Sequence, residues 1–344
     1  MLPCRESLAT GNPAPTLQEA SFTRLFEQNG AFRLPEEPSR SGLPEHMSGS
    51  PQYDESIAGE IERMRSVLTP QAGESHEDAV ARHLNKPLGL SVRATAPPRS
   101  ADLHFFPFIP VPDLEPVPMA MASRKPYPGV DKESVFVPQN EAFLSLIRNA
   151  KTSIFIQTPD LNAAELLPAI IGACKRGIQV TYYVCLGYND TGELLPGQGG
   201  TNEMAANSLY SKLSDAEKPL LQVYFYVAAD QDHPISNSFK QRSCHIKLLI
   251  ADESVAVQGS GNQDTQSWYH SQEVNVLIDS PVICKAWREG IERNQNTAHF
   301  GRAKEDGCWY DSEGKLAAGS FGTNAGTFGW AKGIMGTINK ASGK

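Results

Sequence analysis

The stretch CHIKLLIADESVAVQGSGN, residues 244–262, decides the fold of this chain. Its short apolar runs, rich in β-branched residues, predict two strands and their connection. Because alternate side chains of a strand share a face, His245 and Lys247 are predicted to point the same way. Ile246 and Leu248 are predicted to point the other way, into a core.

The end of this stretch adds neutral polar groups to the imidazole and the ammonium. Gly259 and Gly261 let the backbone approach a ligand closely, and Ser260 and Asn262 supply donors. Such a group of side chains suits a tetrahedral phosphate, because the ammonium and the donors can hold its oxygens. The imidazole could attack phosphorus or protonate a leaving oxygen near neutral pH. The simpler alternative is a solvated edge strand.

The sequence around this stretch alternates between strand and helix patterns from about residue 134. This alternation predicts an α/β domain with a mixed sheet flanked by helices. The other predicted strands lie at 152–158, 178–186, 220–228 and 273–279, and the predicted helices at 141–150, 162–177, 200–213 and 281–295.

The two ends of the chain have a different composition. Residues 1–130 are rich in proline, which interrupts helices and ladders, so this segment is predicted to be irregular. Short helices are predicted within it at 54–68 and 77–84. The Gly-rich tail, residues 301–344, is predicted to be loose, with a weak membrane-touching helix at FGWAKGIMGTINK as the alternative. Residues 131–300 are therefore predicted to carry the fold.

The composition of the chain disfavours several classes of function. The net charge is -8 and the pI about 5.6, which disfavours a non-specific nucleic-acid binder. The 6 cysteines are scattered, with no CxxC pair or His/Cys cluster that would indicate zinc, so no metal site is predicted. Without a secretory pattern or a long apolar run, the chain is predicted to be intracellular, either cytoplasmic or peripherally membrane-associated.

The spacing of the polar residues in the opening stretch is specific. It reads H-x-K, four residues, D, six residues, G-S-x-N, without one departure. This pattern resembles the HKD signature of the phospholipase D superfamily, and approximately residues 110–310 resemble its fungal members. The motif positions are His245, Lys247, Asp252, Gly259, Ser260 and Asn262.

The resemblance implies a phosphodiester-cleaving enzyme that works through a phosphohistidine, with no metal or other cofactor. In the family, two HKD motifs meet across a pseudo-two-fold axis. One histidine attacks phosphorus and the other protonates the departing alcohol. The resemblance implies that Lys247 and Asn262 clamp the phosphoryl oxygens with help from Ser260. It gives Asp252 a structural role, and makes Glu273 the acid that orients a catalytic imidazole.

The chain contains one such motif. No other histidine is followed by H-x-K spacing with an aspartate five positions beyond the lysine. The chain thus resembles the C-terminal half of a two-motif enzyme and is predicted to need a second HKD half. That half would be another copy of this chain or a separate N-terminal half. In a self-dimer, two copies of His245 divide the nucleophile and acid roles; beside a separate half, His245 is the expected acid.

Three functions follow as alternatives. The favoured one is hydrolysis or transphosphatidylation of phospholipids, as in phospholipase D or cardiolipin synthase. The second is a nuclease of the same superfamily, against which the acidic balance counts. The third is a catalytically incomplete half that binds a partner or a lipid surface.

Several polar and aromatic residues outside the motif remain ambiguous in the sequence. His270 either lines the pocket or is structural, and Trp268 and Tyr269 are predicted to pack in the core. Arg242 is predicted to lie in a solvated turn or, alternatively, to attract an anionic head group. Asn202 and Glu203 are predicted to lie at the start of a helix and to cap it.

Overall fold

The computed structural model of this chain describes residues 66–88, 91–105, 109, 115–129, 134–239 and 242–323. The helix predicted at 54–68 falls almost entirely outside these ranges, and so does the FGWAKGIMGTINK stretch of the tail. Among the described residues, no helix is both long enough and apolar enough to span a membrane.

A seven-stranded sheet forms the centre of the described structure, in the order β1-β7-β6-β5-β2-β3-β4. Strands β2, β3 and β4 are parallel to one another, and the other neighbouring pairs are antiparallel. The predicted α/β class with a mixed sheet is confirmed. The strands are β1 (Met119–Arg124), β2 (Ser153–Gln157), β3 (Gln179–Val184), β4 (Leu221–Phe225), β5 (Leu248–Ala251), β6 (Val255–Gly259) and β7 (Glu273–Asp279).

Helices flank the sheet where the sequence predicts them, with one-turn helices added at loops. Several begin at side-chain caps: Thr201 accepts from the backbone amide of Met204, and Ser280 from that of Ile283. The helices are α1 (His76–Leu88), α2 (Pro138–Asn149), α3 (Leu166–Lys175), α4 (Asp190–Glu193), α5 (Asn202–Ser211), α6 (Thr265–Tyr269), α7 (Pro281–Asn294) and α8 (Thr297–Phe300).

The core lies on both faces of the sheet, as strand alternation requires. In β2, Ile154 and Ile156 are buried on the side of α2, α3 and α5. Phe155, between them, points to the opposite face and packs in a smaller cluster with Tyr183 and with Cys284 of α7. The sheet thus carries a buried cluster on each of its two faces.

Strand β1 lies inside the segment that the sequence predicts to be irregular. It pairs with β7 along its whole length, from Met119 opposite Ile278 to Arg124 opposite Glu273. The boundary at residue 131 therefore excludes one strand of the sheet. The strand is hard to see in the sequence because alanine has a low strand propensity and prolines lie on both sides of the run.

One end of the sheet gathers the ends of most strands. The carboxyl ends of β2, β3 and β4 open there, and so do the start of β5, the end of β6 and the start of β7. The motif residues before β5 and after β6 therefore meet at this end. Ligand sites of open α/β sheets form outside the carboxyl ends of parallel strands.

Candidate active site

His245 and Lys247 lie just before β5, which begins at Leu248, and not within a strand as predicted. Lys247 is buried, and its Nζ donates to the backbone oxygen of His245 at 2.7 Å. The imidazole is exposed, and its ring centroid lies 6.0 Å from that of Tyr188. The prediction that Ile246 faces the core is wrong, because the segment is not yet in the sheet and this side chain is 37% exposed.

The two cationic groups of the motif affect each other. Partial burial of the ring, together with the charge of Lys247, lowers the pKa of His245 below 6.5. Burial lowers the pKa of Lys247, against the opposing effect of acidic neighbours that include Glu273 and Asp264. The site therefore keeps a neutral imidazole beside a buried ammonium near neutral pH.

Glu273, at the start of β7, is buried and held by two serine hydroxyls. Ser260 Oγ donates to Glu273 Oε2 at 2.5 Å, and Ser267 Oγ donates to Glu273 Oε1 at 2.7 Å. Among the described residues, no hydrogen bond joins Glu273 to His245. Ser260, predicted to help hold the phosphoryl oxygens, donates its hydroxyl proton to this carboxylate, and the residue is exposed to solvent.

Asn262 is held by two residues that follow it closely in the chain, Asp264 and Ser267. Its Nδ2 donates to Asp264 Oδ2 at 2.9 Å, and its backbone amide donates to Ser267 Oγ at 3.2 Å. Its Oδ1 is buried and has no hydrogen-bond partner among the described residues. Asp264 also caps α6, since its Oδ1 accepts from the backbone amide of Ser267 at 2.6 Å.

The two motif glycines permit close packing within the protein. A side chain at Gly259 would collide with the backbone of Val274 and Asn275. A Cβ at Gly261 would lie 2.6 Å from Gln139 Oε1, and the Gly261 amide donates to Asn275 Oδ1 at 3.2 Å. The close approach expected toward a ligand is therefore an approach toward β7 and α2.

Asp252 lies at the far end of β5, five residues or about 16 Å along an extended chain from Lys247. Its Oδ1 accepts from the backbone amides of Thr152 and Ser153 at 2.7 and 3.1 Å, and its Oδ2 from that of Lys151 at 2.9 Å. These bonds tie the β5–β6 turn to the start of β2. Such a position is out of reach of a phosphate held by Lys247.

The ambiguous residues have definite surroundings. Trp268 and Tyr269 are buried, which confirms their packing role. His270 lies with its ring centroid 6.3 Å from that of Tyr127. Asn202 does not cap its helix, since Thr201 does. Instead, Asn202 accepts from the Leu161 amide at 2.7 Å and donates to the carbonyl oxygens of Pro159 and Cys185 at 2.8 and 2.7 Å.

A buried acidic cluster next to the motif was not predicted from the sequence. It comprises Asp160, Glu193 and Asp264, which offer one carboxylate oxygen each within 4.8 Å of one another. Burial and then neighbouring acidic charges raise the pKa of Asp160 well above its usual range, and burial and Asp264 raise the pKa of Glu193 to about 7. The one signal in the sequence was that Asp160 and Asp264 each follow a predicted strand closely.

A cavity of about 1000 Å³ lies elsewhere on the described structure. Its lining includes Arg93, His233, Arg302 and Trp309, and it includes neither His245 nor any other residue of the motif. In this lining, His233 pairs through Nδ1 with Asp232 Oδ1 at 2.7 Å. This cavity is therefore not the place where the motif residues meet.

Comparison with known proteins gives a consistent set of relatives. Residues 143–294 match the family described as "Cardiolipin synthase, PLD-like domain". "Cardiolipin synthase A" of Buchnera aphidicola subsp. Acyrthosiphon pisum (strain APS) is 28% identical over 141 residues, or 41% of this chain and 24% of that protein. "Major cardiolipin synthase ClsA" of Bacillus subtilis (strain 168) is 29% identical over 144 residues, or 42% of this chain and 25% of that protein. The chain thus spans about a quarter of these relatives.

Solved structures that align with part of this chain include NUC from Salmonella typhimurium, described as a phospholipase D family member. The two are 18% identical with a TM-score of 0.39, covering 54% of this chain and 98% of that one. NucT from Helicobacter pylori is 15% identical with a TM-score of 0.36, covering 52% and 99%. The resemblance to fungal members in particular stays a prediction.

Proposed function

We propose that this chain, whose residues 143–294 form a phospholipase D-like domain, transfers or hydrolyses phosphodiesters through the imidazole of His245. The observation that carries the proposal is the contrast between two neighbouring groups. His245 is exposed, while the ammonium of Lys247 two residues away is buried and fixed by a backbone oxygen. A mobile or incoming phosphate would meet a neutral nucleophile backed by a preorganised positive charge.

The chemistry divides into two displacements. In the first, an imidazole nitrogen forms a bond to phosphorus while the bond to the leaving alcohol breaks, and a second imidazole gives that alcohol its proton. In the second, the imidazole that lost its proton takes one from water or from an acceptor alcohol, whose oxygen then displaces the phosphohistidine. Lys247 and Asn262 would hold the non-bridging oxygens. Glu273, fixed by Ser260 and Ser267, is proposed to orient an imidazole once the site is complete.

We propose that the second imidazole comes from outside the described residues. Among the described residues, Tyr188 makes the ring contact with His245, and no other histidine lies against it. General acid help contributes about 10²–10⁴-fold to such reactions, so an isolated half would be nearly inactive. We therefore propose that the chain pairs with a second copy about a two-fold axis, or with a separate half that carries its own HKD motif.

Phospholipids are the favoured substrate class, with hydrolysis and transphosphatidylation as the two outcomes. The curated relatives are named as cardiolipin synthases, and the net charge of -8 is opposite to the basic surface that a nuclease needs. Peripheral contact with a membrane surface follows from this substrate, since its phosphodiester lies at the lipid–water boundary.

The test is an assay with labelled phospholipid vesicles and, separately, labelled single-stranded DNA. We expect phospholipid turnover by the paired chain, with a loss of about 10³-fold or more in His245→Ala. His299→Ala is the matched control, because His299 is an exposed imidazole outside the motif and should leave turnover unchanged. Turnover by a proven monomer that is undiminished in His245→Ala would refute the assignment. DNA cleavage without phospholipid turnover would favour the nuclease.

Mixing subunits tests the pairing itself. If each site needs His245 from both copies, mixed dimers with His245→Ala are inactive. An equal mixture, after exchange, should then retain about a quarter of the native activity, because random pairing leaves that share of native dimers. Retention of half would show that each chain works alone. A chain that stays monomeric and inactive under all conditions would favour the binding-only half.

A further inference from the structure

Three acidic side chains from separate loops converge beside the motif. Asp160 follows β2, Glu193 ends α4 and Asp264 precedes α6. All three are buried, with exposed fractions of 1%, 3% and 4%, and one oxygen from each lies within 4.8 Å of the others. Like charges this close repel strongly when little water screens them, so the arrangement favours either bound protons or a compensating cation.

The positive charge of the neighbouring described residues does not balance the three carboxylates. Lys247 lies near enough to affect Asp160, but its effect is smaller than those of burial and of the neighbouring carboxylates. Asp160 Oδ2 is buried and has no hydrogen-bond partner among the described residues. An orphaned buried acceptor of this kind requires an explanation.

A second orphaned group lies at the same place and is not part of the acidic cluster. The hydroxyl of Tyr182 is fully buried and has no hydrogen-bond partner among the described residues. It lies close to the cluster: burial, and then the charges of Asp160 and Asp264, raise its pKa well above the usual range. Two buried oxygens without a hydrogen-bond partner, the Tyr182 hydroxyl and Asp160 Oδ2, therefore accompany the cluster.

We propose that Asp160, Glu193 and Asp264 bind a divalent cation of the hard, oxygen-preferring class, represented by Ca²⁺. Oxygen ligands of one Ca²⁺ at about 2.4 Å each can be at most about 4.8 Å apart. The three carboxylate oxygens lie within that distance of one another. Ligand sets without cysteine or histidine disfavour zinc and copper. Three carboxylates and a divalent ion leave one negative charge, which the neighbouring Lys247 offsets.

The surroundings hold two of the ligands in place. Glu193 accepts from Asn162 Nδ2 at 2.5 Å and from Asn189 Nδ2 at 3.0 Å. Asp264 accepts from Asn262 Nδ2, so a cation held by Asp264 would also fix the amide that faces the phosphoryl group. The cation would act as a brace between the loops of the site. It takes no part in bond making, and the proposal stands or falls independently of the phosphodiester chemistry.

Terbium luminescence on the full chain tests the proposal, because the buried phenol of Tyr182 can sensitise Tb³⁺ bound beside it. We expect sensitised emission from the native protein that Ca²⁺ displaces. Asp160→Asn and Glu193→Gln should each weaken Tb³⁺ binding on the order of 100-fold. Asp215→Asn is the matched control, since the Asp215 side chain is 97% exposed and pairs with Lys218.

Thermal unfolding gives a second readout that does not depend on Tb³⁺. Saturating Ca²⁺ should raise the Tm of the native chain on the order of 5 °C above its value in chelator, and should leave Glu193→Gln unchanged. Circular dichroism of each variant in chelator verifies that it is folded. Emission that is equal in all variants, Tb³⁺ that Ca²⁺ does not displace, or a Tm without response to Ca²⁺, Mg²⁺ and Mn²⁺ would each overturn the proposal. Failure of phospholipid turnover would not affect it.

Discussion

Two groups of buried charge lie near the candidate site and are compensated in opposite ways. Arg242, three residues before His245, pairs with Asp230 at 2.9 Å, and the two side chains are 4% and 0% exposed. The carboxylates of Asp160, Glu193 and Asp264 lie together without a matching number of cationic side chains among the described residues. The first group is balanced by an ion pair within the fold, and the second has no matching ion pair among the described residues.

The comparison shows why a charge beside a motif is a poor guide to binding. Arg242 was predicted to lie in a solvated turn or to attract an anionic head group, and both interpretations are wrong. The guanidinium is buried and engaged by Asp230, because a carboxylate 12 positions earlier in the chain folds against it. The acidic cluster was not predicted from the sequence, yet it contains a buried oxygen, Asp160 Oδ2, without a hydrogen-bond partner among the described residues. Whether a charged side chain is available to a ligand depends on the opposite charges that the fold places around it.

The largest effect is expected from breaking the balanced pair. Asp230→Ala would leave the Arg242 guanidinium buried without its carboxylate, which costs about 3–5 kcal/mol of the free energy of unfolding. Chemical denaturation measures the loss directly. The double variant Asp230→Ala/Arg242→Met is the control, because it removes both charges and should recover most of the stability. A loss below about 1 kcal/mol in Asp230→Ala would show that the pair is not what balances this group.

Most of the sheet and its helices could be predicted from local patterns. The helix at Pro281–Asn294 and the strand at Glu273–Asp279 match their predictions to within one residue, because period and capping signals coincide there. Strand β1 could not be found in this way. Its pairing with β7 joins segments more than 140 residues apart, and its own residues carry no strong strand preference.

The site could be predicted only where its residues follow one another in the chain. The spacing around His245 located the histidine, the lysine and the asparagine at one end of the sheet. The contacts that position them could not be inferred, since Ser267 was no candidate and Asp160 reaches the site from another loop. Interactions between loops depend on tertiary packing, which local spacing does not encode.

The negative charge of Asp252 is compensated in a third way, by hydrogen bonds from backbone amides instead of by a cation. Asp252→Ala should cost about 1–2 kcal/mol of the free energy of unfolding, after allowance for its partial exposure. Partial burial alone would raise its pKa, but the amides of Thr152, Lys151 and Ser153 outweigh that effect and lower the pKa below 3.8. The stabilisation is therefore complete above pH 3.8 and is lost as the pH falls through the lower folded value.

Urea denaturation at pH 7 and in the acid range measures this contribution. Asp252→Asn is the control variant, since asparagine tolerates the left-handed backbone at φ 53 and keeps one acceptor oxygen. It should lose less stability than Asp252→Ala at pH 7. Equal stability of Asp252→Ala and the native chain would show that these amides are stabilised as well by hydrogen bonds to water as by hydrogen bonds to Asp252. The charge balance of the fold would then rest on ion pairs such as Arg242–Asp230.

The smallest effect is expected at His245, which reports whether the ammonium or the carboxylates dominate the electrostatics of the site. Partial burial and the charge of Lys247 keep the pKa of His245 below 6.5, so the ring stays neutral down to a lower pH than in the unfolded chain. Lys247→Met removes the second of these causes, and the pKa of the ring should move up toward 6.5. NMR titration of the ring protons measures both values, with His299 of the same sample as the internal reference. A native value above 6.5, falling when Asp264 is changed to asparagine, would mean instead that the acidic cluster controls the imidazole.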